Sequence, residues 1–124
     1  MIEVTDEEFS HLIDEAIQEL PEEHMRSVQN VAILYEEDPT DAQRQQLQLL
    51  DGETLFGLYE GVPLSSRQGV TSYPPDKITI FKGPITLYCH TREQLKAEIK
   101  HTVWHEIAHY FGLDHAAIHR LERK

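Results

Sequence analysis

Cysteine is nearly absent from this sequence, since Cys89 is the only one and has no partner in the chain for a disulfide. A single cysteine in an apolar segment is typical of a small core residue rather than a nucleophile. Long hydrophobic runs are absent as well, and none approaches the roughly 20 residues of a membrane helix. The acidic N-terminus has neither the basic start nor the apolar stretch of a secretory signal. We therefore expect a cytoplasmic protein without a membrane partner.

Basic residues are scarce in the first half of the chain. Residues 1–60 contain 16 acidic and 2 basic residues, whereas residues 61–124 contain 6 acidic and 9 basic residues, and the net charge is -11. Nucleic-acid affinity rests largely on Lys and Arg contacts with phosphates, so this charge distribution excludes a nucleic-acid partner. A length of 124 residues suits one core. The expectation is a single domain over residues 1–124.

Two segments carry the signals that start a helix. Thr5–Glu8 and Thr91–Gln94 are capping boxes, in which a threonine is followed three residues later by Glu or Gln. Apolar residues then recur at helical spacing in both cases. The sequence predicts helices over residues 6–20 and from residue 92 to about 111. Gly112 is placed to end the second helix, because glycine adopts the left-handed conformation without a steric penalty.

Short β-rich segments separate the two helices. The four predicted strands lie in Val31–Tyr35, Leu55–Tyr59, Ile78–Phe81 and Ile85–Cys89. A turn is expected at Lys82–Pro84 and a short helix near Gln45–Leu50. These elements predict an α+β fold with a small mixed sheet of three or four strands. An exposed strand edge, placed in residues 77–89, is expected to bind an extended peptide by adding it to the sheet.

The second helix carries residues with metal-ligand spacing. His105 and His109 are four residues apart, so their imidazoles project from nearly the same face and can reach one ion. Glu106 is rotated about 100° around the axis from His105, which places its carboxylate beside the ion as a general base. A catalytic zinc site uses three protein ligands. The sequence therefore predicts a Zn²⁺ site with Glu106 as its catalytic residue.

The third ligand must come from beyond the helix. In a continuous helix His115 would lie about 15 Å from His105 along the axis, but a sharp turn at Gly112 allows it to fold back. Asp114 is the alternative if His115 points away. The composition would produce His-Glu-x-x-His by chance in about 6 of 100 chains, but the pattern extended to Gly112 and His115 in only about 2 of 10,000. The predicted metal ligands are thus His105, His109 and His115.

The run from His105 to His115 resembles the pattern His-Glu-x-x-His-x-x-Gly-x-x-His of the metzincin zinc peptidases. Metzincins carry a methionine turn after the third ligand, whereas no methionine follows His115 here. The whole chain is similar instead to the small bacterial metallopeptidase-like proteins called minimal zincins, and the similarity includes residues 58–64 and 78–85. The resemblance implies a zincin-like fold with a C-terminal metal-binding helix. Those relatives often have an acidic residue at the position of His115, so His115 and Asp114 both stay open as third ligand.

These observations predict a zinc-dependent metallopeptidase of the endopeptidase type that acts on peptide or protein substrates. In the expected mechanism Glu106 takes a proton from a zinc-bound water and later passes it to the leaving amine. Two alternatives stay open: a non-catalytic metal-binding interaction module, and a zinc hydrolase of non-peptide substrates. Candidates for stabilising the oxyanion are Tyr59, Arg67, Tyr73 and Tyr110.

Overall fold

Four helices and three strands make up the part of the chain that the structure, a computed structural model, describes: residues 2–20, 31–46, 55–61 and 76–111. In chain order the elements are α1 (Asp6–Glu19), β1 (Val31–Glu36), α2 (Asp41–Gln46), β2 (Gly57–Glu60), β3 (Asp76–Phe81), α3 (Lys82–Tyr88) and α4 (Arg92–Phe111). Among these helices, none combines the length and the apolar character needed to cross a bilayer. The α+β class is confirmed.

Both predicted capping threonines begin their helices. The Thr5 hydroxyl accepts the N–H of Glu8 at 3.1 Å, and the Thr91 hydroxyl accepts the N–H of Gln94 at 3.0 Å. Each bond satisfies one of the N–H groups that the first turn of a helix leaves without a backbone partner. Helix α1 ends one residue before the predicted Leu20, and α4 has the predicted bounds. Gly112 lies outside the described residues.

A third capping box starts α2. The Thr40 hydroxyl accepts the N–H of Gln43, and the Gln43 side-chain oxygen accepts the N–H of Thr40. This reciprocal pair fixes the start of the helix at Asp41, whereas the sequence predicted it near Gln45–Leu50. The predicted segment overlaps α2 at two residues, and its remainder lies outside the described residues.

The sheet is mixed and three-stranded in the order β1-β3-β2. Strand β1 runs parallel to β3, with Val31 opposite Asp76, and β2 runs antiparallel to β3, with Gly57 opposite Ile80. Because β3 has a neighbour on each side, the prediction of an exposed edge in residues 77–89 is wrong. Within the described residues the edges of the sheet are β1 and β2.

The predicted fourth strand at Ile85–Cys89 is helix α3. In a strand, residues 85, 87 and 89 would share one face, but Leu87 is 64% exposed while Ile85 and Cys89 are fully buried. A spacing of four residues places Ile85 and Cys89 on one helix face, so the same apolar pattern suits a helix. Pro84 is tolerated because it lies in the first turn, where no intrahelical N–H partner is lost.

The main core lies between the sheet and the two long helices on one of its faces. Its fully buried side chains come from α1, β3, α3 and α4, and include Phe9, Ile78, Ile80, Leu95, Ile99, Val103 and Ile107. A smaller apolar cluster of Leu55, Leu58 and Phe81 lies apart from it. Burial of the α4 face fixes the rotation of that helix about its axis. The opposite positions of α4, including its histidines, are thereby turned away from the core.

The side of α4 that faces α1 is lined by ion pairs. They are Arg92 with Glu8, Lys96 with Glu15 and Glu19, and Lys100 with Glu19. These pairs are partly exposed and contribute little stability. They do, however, direct the three basic side chains of α4 toward α1.

Candidate metal centre

His105 and His109 meet on one face of α4. Their Nε2 atoms are 3.2 Å apart, and the ring centroids are 4.8 Å apart with the ring planes at 77°. Both side chains are half-buried. The separation by one helical turn brings the two imidazole nitrogens to a common point, as the spacing in the sequence predicts.

The separation of these nitrogens fits a shared zinc ion. Two imidazole nitrogens bound at about 2.0–2.1 Å with a tetrahedral angle between them would be about 3.3 Å apart. The observed 3.2 Å between His105 and His109 is close to that value. A ring nitrogen of each histidine and one carboxylate oxygen of Glu106 all lie within 4.8 Å of one another. The donor set therefore suits a metal ion such as zinc.

Glu106 is the buried carboxyl group of this cluster. It follows His105 on α4 but turns toward the sheet, where its side chain is only 7% exposed. Burial raises the pKa of the Glu106 carboxyl to about 7, and a hydrogen bond from the backbone N–H of Tyr59 in β2 opposes that rise. The strand thus orients the carboxylate beside the two histidines.

Gly57 allows β2 to approach α4 this closely. A Cβ atom at residue 57 would lie 2.6 Å from the Thr102 Cγ2 atom and 3.3 Å from the Glu106 Cγ atom. Any larger residue would have to push the strand away from the helix, since the Thr102 side chain is branched at Cβ and its methyl group cannot swing aside freely. Gly57 was not among the predicted site residues. A glycine inside a predicted strand is a signal for such a close approach.

The backbone of β2 also presents its outer edge to this site. Phe81 donates its N–H to the Phe56 carbonyl at 2.8 Å, so the alternation of an antiparallel pair makes Leu58 the next residue bonded to β3. The backbone groups of Gly57 and Tyr59 consequently point away from β3. The N–H of Tyr59 meets Glu106 in this way.

The remaining predicted site residues divide into two groups. The Tyr59 hydroxyl donates to the Asp76 carboxylate at 2.8 Å, and Tyr110 is buried with its ring packed edge-on against that of Tyr59. Both tyrosines therefore support the wall of the site beside Glu106. The predicted ligand His115 and the other candidates lie outside the described residues; they are Arg67, Tyr73, Gly112 and Asp114.

Comparisons with known proteins agree with this architecture. No curated protein sequence gives a significant match. Among solved structures, a conserved hypothetical protein from Thermo thermophilus is similar with a TM-score of 0.58 and 20% sequence identity, over 97% of this chain and 100% of that chain. That likeness shows the fold. The model of a protein family described as "Zincin-like metallopeptidase" matches residues 28–124, which include β1 to α4. The chain therefore belongs to the zincin-like metallopeptidase family.

Proposed function

We propose that this protein is a zinc-dependent peptidase with its site on α4. The observation that carries the proposal is the 3.2 Å separation of the His105 and His109 Nε2 atoms, with the carboxylate of Glu106 beside them. Two neutral imidazoles would hold the ion, and His115 would be the third ligand, with Asp114 as the alternative. When bound, zinc supplies Lewis-acid chemistry that polarises a carbonyl group and acidifies water.

Glu106 is the proposed general base. Its carboxylate accepts the proton of the attacking water and then donates that proton to the amine that leaves when the C–N bond breaks. The N–H of Tyr59 keeps the carboxylate oriented through this exchange. Burial beneath β2 removes bulk water from one side of Glu106, so the proton stays within the site.

The edge of β2 favours a peptide as the substrate. The backbone N–H and carbonyl of Gly57 and the carbonyl of Tyr59 point away from β3, and an extended peptide can hydrogen-bond to such an edge as an added strand. Because the N–H of Tyr59 touches Glu106, a peptide paired along β2 would carry its backbone past the base. This replaces the edge that the sequence predicted in residues 77–89.

Cleavage of unfolded casein and of a mixed peptide pool tests the proposal. The zinc-loaded protein should cleave both, and Glu106→Gln should lower the rate by about 10² to 10⁴-fold because it keeps the shape of the side chain but removes the proton acceptor. Glu93→Gln, an exposed change on the same helix, serves as the matched control and should leave the rate unchanged. Equal rates for wild type and Glu106→Gln would refute the mechanism.

Two other outcomes would favour a different function. Activity on ester or amide compounds without peptide cleavage would identify a zinc hydrolase of non-peptide substrates. Zinc binding without hydrolysis of any compound would identify an interaction module. Comparison of zinc affinity in His115→Ala and Asp114→Asn decides the third ligand, since only the loss of a ligand should weaken binding strongly.

A further inference from the structure

A recess extends from the proposed site along α4, on the side away from α1. Its volume is about 320 Å³, and it begins at His105 and Glu106. Leu55, Phe56 and Gly57 form its wall on the β2 side, and Glu98, His101 and Thr102 form its wall on the α4 side. One wall is thus largely apolar, while the other carries the polar side chains of one helix face.

Glu98 is the charged group at the far end of this recess. It precedes His105 by seven residues, which is two helical turns or about 10 Å along the axis on the same face. Its side chain is half-buried. An extended peptide rises about 3.3 Å per residue, so Glu98 lies about three residues from a peptide bond positioned at Glu106.

The lysines of α4 do not balance the charge of Glu98. Lys96 and Lys100 turn toward α1 and form ion pairs with Glu15 and Glu19. Within the described ranges of the chain, no ion pair to Glu98 is observed. A cation entering the recess would therefore meet a carboxylate that no lysine or arginine of the described residues neutralises.

The two walls together match the shape of a basic side chain. Lysine and arginine have an aliphatic stem that packs on apolar surface and a charged end that needs a polar partner. Leu55 and Phe56 offer the apolar surface, and Phe56 is held in place by its ring contact with Tyr88, at 5.3 Å between centroids. Glu98 offers the carboxylate at the end.

We propose that this recess is a substrate subsite that selects a lysine or arginine side chain two or three residues from the scissile bond, with Glu98 as the residue that recognises the charge. This inference rests on the proposed peptidase function, because it assigns a specificity to the same site. A neutral or acidic side chain would leave the Glu98 carboxylate without a cationic partner, and an acidic one would also be repelled.

Matched peptides test the subsite. Each test peptide carries Lys, Arg, norleucine or Glu at one position, and the peptides of a set are otherwise identical. One set is made for each of the three positions on either side of the cleaved bond. At one position the wild type should cleave the Lys and Arg peptides with a kcat/KM about tenfold above that of the norleucine peptide, since a charge-assisted hydrogen bond is among the stronger polar contacts. Glu98→Gln should reduce this ratio to near one, and Glu98→Lys should favour the Glu peptide.

Controls separate this inference from the proposed function. Glu93→Gln removes the same charge from the same helix outside the recess and should keep the tenfold ratio. Peptide cleavage without a basic preference, or a preference that survives in Glu98→Gln, would overturn the subsite while the peptidase proposal stands. If no peptide is cleaved, nuclear magnetic resonance titration with Nα-acetyl-lysine methylamide decides the point. Shifts at Glu98 and His101 that Glu98→Gln abolishes support the subsite, and their absence overturns it.

Discussion

Replacing Glu106 with glutamine should stabilise the metal-free protein at neutral and higher pH. The carboxyl is buried beneath β2, and burial raises its pKa from 4.5 to about 7. The folded protein therefore keeps this proton between pH 4.5 and 7, where the unfolded chain has already lost it. The stability that results is fully present below pH 4.5 and is lost as the pH rises through 7.

The size of the change in stability follows from the shift in the pKa of Glu106. At 1.36 kcal/mol per pKa unit, ionising the buried carboxyl lowers the free energy of unfolding by about 3 kcal/mol above pH 7. Glutamine cannot ionise, and its side-chain oxygen can still accept the N–H of Tyr59. The Glu106→Gln variant should thus be more stable than the wild type by about 1 kcal/mol at pH 5 and by about 3 kcal/mol at pH 8.

Urea unfolding of chelator-treated protein at several pH values measures this difference. The two proteins differ only at residue 106, so subtracting the two curves gives the effect of ionising that side chain in its folded surroundings. A difference that does not grow between pH 5 and pH 8 would show that the carboxyl is not desolvated in the folded metal-free protein. Such a result would contradict the burial of Glu106 beneath β2.

Three further changes test the packing around the site and the fold. Gly57→Ala should lower stability by about 1–3 kcal/mol, because the new Cβ would overlap the Thr102 methyl group, and adding Thr102→Ser should recover part of that loss in thermal unfolding. Thr79→Val should raise the free energy of unfolding by about 1 kcal/mol, because the buried Thr79 hydroxyl has no hydrogen-bond partner in the described structure. Ile85→Ala should cost about 2–5 kcal/mol and Leu87→Ala less than about 0.5 kcal/mol, whereas similar losses from both would favour a strand over helix α3.

Local signals in the sequence were enough to predict the long helices and segments that overlap each of the three strands. The capping threonines Thr5 and Thr91 and the 3.6-residue apolar period act within a few residues, so no knowledge of the tertiary fold is needed. The separation of His105 and His109 is set by one helical turn, and it could be predicted for the same reason. The resemblance to the zincin family was found in the run from His105 to His115 together with residues 58–64 and 78–85.

Tertiary contacts decided the features that the sequence analysis missed. A short apolar pattern at Ile85–Cys89 suits either a strand or a helix, and α3 forms where Gly83 donates its N–H to the Glu37 carbonyl at the end of β1. The position of β3 between two other strands depends on pairing between residues that are far apart in the sequence, so the edge at β2 was not predicted. The close approach at Gly57 depends on the same pairing.

Zinc content is the most direct test of the central claim that His105 and His109 hold one ion. Folded protein dialysed against zinc and then against buffer should retain about one zinc per chain by elemental analysis. His105→Ala and His109→Ala should each lose it, while Glu106→Gln should keep it, with circular dichroism confirming that every variant is folded. Folded wild-type protein that retains no zinc, or histidine variants that retain as much zinc as the wild type, would contradict the account.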